Sequence, residues 1–187
     1  MGKRVGVLAL QGDFEAHCKA LRRLGAEAVE VRTERELEGL DGLVIPGGES
    51  TTMLKLLDLE NLFEPLRRFG EQKSIFGTCA GAILLARHVT NPVQRSFGLM
   101  DIEVERNAYG RQIDSRIVHI SGDGFADIEA VFIRAPIIRS TGAGVRVLAR
   151  YRDTAVLAEE GRHMVATFHP ELTEDPRIHR MFLSKLV

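Results

Sequence analysis

The sequence predicts an α/β fold in one domain, residues 1–187: an open, mostly parallel sheet with helices on both faces and an antiparallel section added. Two observations carry this reading. Apolar, strand-like runs alternate with helix-like segments through the first half, and the second half turns to short strands spaced closely enough to pair as hairpins. A length of 187 residues suits one such domain and is short for two.

Residues 4–10 form an apolar run that ends at Gln11-Gly12, as a buried strand does. Asp13 is placed to cap a helix over residues 14–24, and Gly25 stands where helices end. A second strand spans residues 28–32, and Thr33 with Glu36 has capping-box spacing for a short helix. The third strand, residues 43–45, breaks at Pro46-Gly47-Gly48, with Ser50 or Thr51 as the expected cap of a helix over residues 50–57. Asn61, with Glu64 three residues on, starts a helix over residues 62–69. Ser74–Thr78 is a fourth strand, followed directly by a helix over residues 80–86. Met100, Ile102 and Val104 then alternate with charged residues, as in a half-exposed strand. Short strands follow at residues 117–120, 130–134, 145–151, 155–159 and 164–168. Asp175-Pro176 opens a last helix with Ile178, Met181, Phe182 and Leu186 on one face.

Composition narrows the class. Hydrophobic residues make up 44% and charged residues 27%, and 25 basic against 26 acidic residues leave a net charge of -1. That balance speaks against a nucleic-acid partner, which calls for a clustered basic excess. No apolar run has the length of a membrane helix, and the apolar stretch after Lys3-Arg4 is short for a secretory leader. The expected location is cytoplasmic. Two cysteines, Cys18 and Cys79, lack zinc-ligand spacing, so no metal is expected. Cys18 reads as a buried small hydrophobe.

In such sheets chemistry collects where strands end at their carboxyl side, and three motifs fall there. Gly77-Thr78-Cys79-Ala80-Gly81 places a nucleophile between strand and helix, with glycines giving room for a sharp turn. A helix N-terminus lowers a thiol pKa, and the next backbone N–H can face an oxyanion. Alone, the pentapeptide fits equally a small-residue packing turn with an inert thiol. Phe168-His169-Pro170-Glu171 shifts the balance, because His169 and Glu171 are two apart and point to the same side of an extended segment. A carboxylate there can hold one imidazole nitrogen and leave the other to exchange a proton with sulfur. Together the two motifs favour a Cys79–His169–Glu171 triad. Pro46-Gly47-Gly48-Glu49-Ser50 allows backbone to approach a ligand, without the ending of a nucleotide P-loop. Arg106 and Arg134, at predicted strand ends, can clamp a carboxylate, although for either alone a solvated surface role is the commoner one. The remaining histidines, His17, His88, His119, His163 and His179, receive no role.

With these motifs quoted, the chain resembles the class I (triad) glutamine amidotransferases. Within that class it is similar to the glutaminase subunits of pyridoxal 5′-phosphate synthases. The marks are Leu8-Ala9-Leu10-Gln11-Gly12, residues 46–52, Glu105-Arg106-Asn107, Tyr109-Gly110-Arg111-Gln112, Phe132-Ile133-Arg134-Ala135-Pro136 and residues 168–173. Arg116 departs from the pattern, standing where the family usually has an aromatic residue.

The resemblance implies a flavodoxin-like three-layer sandwich and hydrolysis of L-glutamine to glutamate and ammonia, without a cofactor. It implies a hetero-oligomeric complex in which a TIM-barrel synthase subunit accepts the ammonia. It also implies roles: Cys79 as nucleophile, His169 as general base and acid, and Glu171 as the group that orients it. Gly48 and Ala80 would supply the oxyanion hole, and Gly47, Gly48, Glu49, Arg106, Ile133 and Arg134 would hold glutamine. The glutaminase subunits of histidine or anthranilate biosynthesis, or a non-catalytic binding relative, are the alternatives.

Overall fold

A computed structural model describes residues 2–108 and 116–187. The Tyr109–Gln112 mark lies outside them.

The first half builds a parallel sheet. Strands β1 (Arg4–Leu8), β2 (Glu27–Val31), β3 (Gly42–Ile45) and β4 (Ser74–Thr78) are joined through helices α1 (Phe14–Arg23), α2 (Ser50–Leu59) and α3 (Phe63–Gln72). The short helix α4 (Ala80–Leu85) follows β4, and β5 (Ala86–Thr90) and β6 (Met100–Glu105) come next. The second half supplies β7 (Arg116–Gly122), β8 (Phe125–Phe132), β9 (Ile137–Thr141), β10 (Arg146–Tyr151), β11 (Thr154–Glu160), β12 (His163–Ala166) and helix α5 (Arg177–Ser184).

The main sheet runs β2-β1-β3-β4-β12-β11-β10-β7-β8, parallel from β2 through β12 and antiparallel beyond. The expected mostly parallel sheet with an antiparallel extension is therefore present. Alternating side chains feed two cores, as period-2 strands require. Leu43, Ile45, Ile75 and Val165 pack on one face with Met53, Leu57, Leu66 and Leu84. Val5, Val7, Val44, Phe76 and Met164 pack on the other with Leu21, Ile178 and Phe182. Helices α1 and α5 thus cover one side, and α2, α3 and α4 the other, giving three layers. Among the described residues, no helix is long and apolar enough to cross a membrane.

Several elements differ from their sequence expectation. Helix α3 begins at Phe63 with Leu62, not Asn61, as its cap; Asn61 has φ 54° and lies in the turn that closes α2, where Asn tolerates a left-handed backbone. Glu49, not Ser50 or Thr51, caps α2, its carboxylate accepting from the Thr51 and Thr52 N–H groups at 2.9 and 2.7 Å. The expected capping box of Thr33 and Glu36 is present, with Glu36 accepting from the Thr33 N–H at 2.8 Å, but the helix it opens, Glu34–Leu37, is 3-10 rather than α. The helix after Cys79 stops at Leu85 because Ala86 already opens β5, which pairs in parallel with β6. With β9 these form a second, three-stranded sheet that the sequence reading did not contain. Strand β8 starts at Phe125 and ends at Phe132, since Arg134 takes φ 44° and leaves the ladder.

The joint between α4 and the sheet is tight. A Cβ on Gly81 would stand 2.1 Å from the Ile45 carbonyl oxygen, and one on Gly77 would stand 2.5 Å from Gly81. Neither clash is with a movable side-chain end, so the backbone itself must shift. Gly81→Ala is expected to cost about 1–3 kcal/mol, the range of overpacked cores. Urea unfolding checks this, and an unchanged midpoint would contradict the packing described here.

Candidate active site

Strands β1, β3, β4 and β12 end at the same edge of the sheet, and their following loops make the site. The chain leaves β1 toward β2 on one side and β3 lies on the other, so this edge sits at a topological switch point.

Cys79 occupies the corner between β4 and α4 at φ 49°, ψ −105°, a strained backbone for a residue with a side chain. Its N–H donates to Ala166 O at 2.9 Å, which continues the β4–β12 pairing one residue further. The thiol is 6% exposed, with Sγ 4.0 Å from Ile133 O, too far for a strong hydrogen bond. Ala80 is the first residue of α4, so its N–H has no partner within the helix.

His169 follows β12, its N–H donating to Val131 O at 2.8 Å. Its Nδ1 lies 2.7 Å from Glu171 Oε1, on a carboxylate only 1% exposed. Burial pulls the imidazole pKa down, but hydrogen bonding and charge from Cys79 and Glu171 outweigh it and raise the group to about 10. That direction favours the imidazolium form of His169. Gly47 leaves room for the ring: a Cβ there would be 2.5 Å from His169 Cε1 and 3.2 Å from Cys79 Cβ.

These groups open into a cleft of about 660 Å³ lined by Gly48, Glu49, Ser50, Cys79, Ile83, Arg106, Asn107, Ile133, Arg134, Pro136 and His169. Of the residues expected at the site, Gly48, Glu49, Arg106, Ile133 and Arg134 thus reach the cleft. Gly47, Ala80 and Glu171 adjoin lining residues without being among them. Arg106 is 8% exposed and donates through Nη2 to Thr51 Oγ1 at 2.7 Å and Glu49 Oε1 at 3.4 Å. Burial raises the Glu49 pKa, but hydrogen bonds from Thr51 and Thr52 outweigh it and hold the carboxyl at about 2. Glu49 is thus an ionised helix cap that also meets a guanidinium. Gln11, after β1, lies against Gly48, which adopts φ 137°.

Residues 7–187 match the model of the SNO glutamine amidotransferase family. The chain belongs to this family. Its relatives include proteins named pyridoxal 5′-phosphate synthase subunit PdxT. One from Solibacter usitatus is 60% identical, over 98% of this chain and 100% of that protein. Another, from Thermus thermophilus, is 53% identical over 96% of this chain and 95% of its own length. A solved structure titled as a glutamine amidotransferase is 50% identical, covers 97% of each chain and superposes with a TM-score of 0.91. Where this family member carries Arg116, the residue is exposed at the start of β7, away from the cleft lining.

Sequence reasoning missed two histidines. His17 on α1 and His179 on α5 are fully buried behind Glu171, with His17 Nδ1 2.9 Å from His179 Nε2. Burial above all, then the nearby imidazoles, holds His17 well below its usual pKa. Burial alone lowers His179 to about 4. The signal available was spacing: His17 and Leu21, four apart, share the buried face of α1. Cys18 behaves as expected, buried and with its thiol pKa raised by that burial.

The three environments make a measurable contrast. In an NMR titration His169 is expected protonated at pH 7, while His17 and His179 remain neutral. Because Glu171 is one of the groups raising His169, Glu171→Gln is expected to move its titration toward lower pH. A wild-type His169 titrating at or below 6.5 would contradict the arrangement.

Proposed function

We propose that the chain is the glutaminase subunit of a pyridoxal 5′-phosphate synthase, hydrolysing L-glutamine through Cys79, His169 and Glu171. The observation that carries the reading is Cys79 on its strained turn beside an imidazole whose Nδ1 is held by a buried carboxylate, an arrangement that raises the imidazole pKa. The full-length relatives named as synthase subunits support the assignment of the pathway.

In this mechanism Sγ of Cys79 attacks the side-chain amide carbon of glutamine. The resulting oxyanion is met by the N–H groups of Ala80 and Gly48. His169 gives its Nε2 proton to the departing nitrogen, ammonia leaves, and a thioester remains. The now neutral His169 takes a proton from water, hydroxide attacks the thioester, and collapse expels the thiolate and restores the imidazolium. Glu171 holds Nδ1–H throughout and offsets the positive charge. The glutamine backbone end rests among Gly47, Gly48, Glu49, Arg106, Ile133 and Arg134. Arg106 acts there together with Glu49, to which it is already hydrogen-bonded. The ammonia passes to a TIM-barrel synthase subunit in a hetero-oligomeric, cytoplasmic complex.

Cys79→Ala is expected to abolish glutamate release, because no other group forms the thioester. His169→Asn should be nearly as damaging, and Glu171→Gln milder. Turnover by Cys79→Ala above a blank without enzyme would sink the triad.

The peptide between Gly47 and Gly48 lacks side chains that would resist its rotation, so a docking partner can set which way the Gly48 N–H faces. The isolated chain is expected to release glutamate slowly and to gain about 10²–10³ in rate with saturating synthase subunit, the worth of one oxyanion donor. Equal rates with and without the partner would rule out this activation. A bulky residue at Gly47 is no test of it, because its Cβ would already strike His169.

A further inference from the structure

Behind Glu171 runs a polar chain that the proposed mechanism leaves unused. His17 Nε2 stands 3.3 Å from Glu171 Oε2 and 3.3 Å from Thr78 Oγ1, and all three residues are buried. Glu171 Oε1 already serves His169. Among the described residues, Glu171 Oε2 and His179 Nδ1 have no well-aligned hydrogen-bond partner.

The chemistry of these atoms fixes where the protons lie. An ionised carboxylate only accepts, so His17 must face Oε2 with Nε2–H rather than a lone pair. A neutral imidazole then has Nδ1 bare, and at 2.9 Å that atom takes the Nε2–H of His179. His179 Nδ1 is left as a bare acceptor. The opposite assignment sets a lone pair against the carboxylate and strands a buried N–H donor on His179, which is costly.

We propose that His17 is a positioning residue for the reaction: its Nε2–H stands against the second oxygen of Glu171 in a close charge–dipole contact, and His179 fixes the His17 tautomer. This rests on the reading of Glu171 as the group that orients His169. The chain of contacts runs His179–His17–Glu171–His169, and His17 also touches Thr78, the neighbour of Cys79. Two helices of one outer layer thereby grip both catalytic loops from behind. When His169 loses its proton, the His17 contact keeps Glu171 aimed.

The test measures glutamate release, with saturating synthase subunit, by wild type, His17→Leu, Glu171→Gln and the double variant. His17→Leu is expected to lower kcat about tenfold while leaving KM for glutamine within about twofold, as loss of a polar contact to a charged group would. In the Glu171→Gln background the same change is expected to add almost nothing, because the interaction is already gone. His17→Gln, which carries an amide N–H near the ε position, should recover part of kcat. An unchanged kcat in His17→Leu, or an equal loss in both backgrounds, overturns the proposal. Should leucine prevent folding, nitrogen NMR of the wild-type imidazoles decides. His17 protonated at Nε2 supports the assignment, and His17 protonated at Nδ1 overturns it. Full kcat in Glu171→Gln would instead defeat the triad reading, so the two failures are told apart.

Discussion

The backbone at Cys79 is the constraint on which the rest depends. Strand β4 must end and α4 must begin within one residue, and that residue is forced to φ 49°. Such a conformation costs on the order of 1–3 kcal/mol and persists only where the surroundings over-determine it. Here they do: Gly77 and Gly81 let strand, turn and helix close on each other, and the Cys79 N–H is tied to β12. Helix α4 then lies flat against Ile45 of β3. Its abrupt end at Leu85 sends the chain into the small second sheet, and β6 of that sheet delivers Arg106 to the cleft.

Much of this was legible in the residues. The parallel half was readable because its strands are buried on both faces and so appear as short apolar runs cut by Gly, Pro and Asp. The three residues of the proposed triad stood out because Cys79, His169 and Glu171 each lie in a short motif that follows a strand. Strand β5 was hidden: two of its five residues are exposed, so it shows no alternation, and only pairing with β6 makes it a strand. The cap of α2 was misplaced for a related reason. Ser and Thr are the stronger intrinsic caps, but Glu49 also meets Arg106, 57 positions away. The His17 contacts could not be read locally either, since Thr78 and His179 lie 61 and 162 positions from it.

Three imidazoles within one site neighbourhood show how environment sets charge. All are largely buried, and burial disfavours the cation in each. Only His169 has both a carboxylate and a sulfur against its nitrogens, and only there does attraction win. Glu171 faces His17 as well, yet one buried carboxylate cannot balance two cations, and the imidazole without the second anion stays neutral. The same residue type thus serves as charge carrier in front of Glu171 and as neutral donor behind it.

The hydrogen bond from Cys79 N to Ala166 O makes sheet spacing the ruler of the Cys79–His169 pair. Cys79 and His169 leave neighbouring strands, and neighbouring strands stand about 4.8 Å apart wherever a ladder forms. Sulfur and imidazole are therefore brought together by secondary structure rather than by a loop that has to settle. Once β4 and β12 have zipped, the pair is assembled, and any control over the enzyme has to work on what enters the cleft or on its glycine-lined wall.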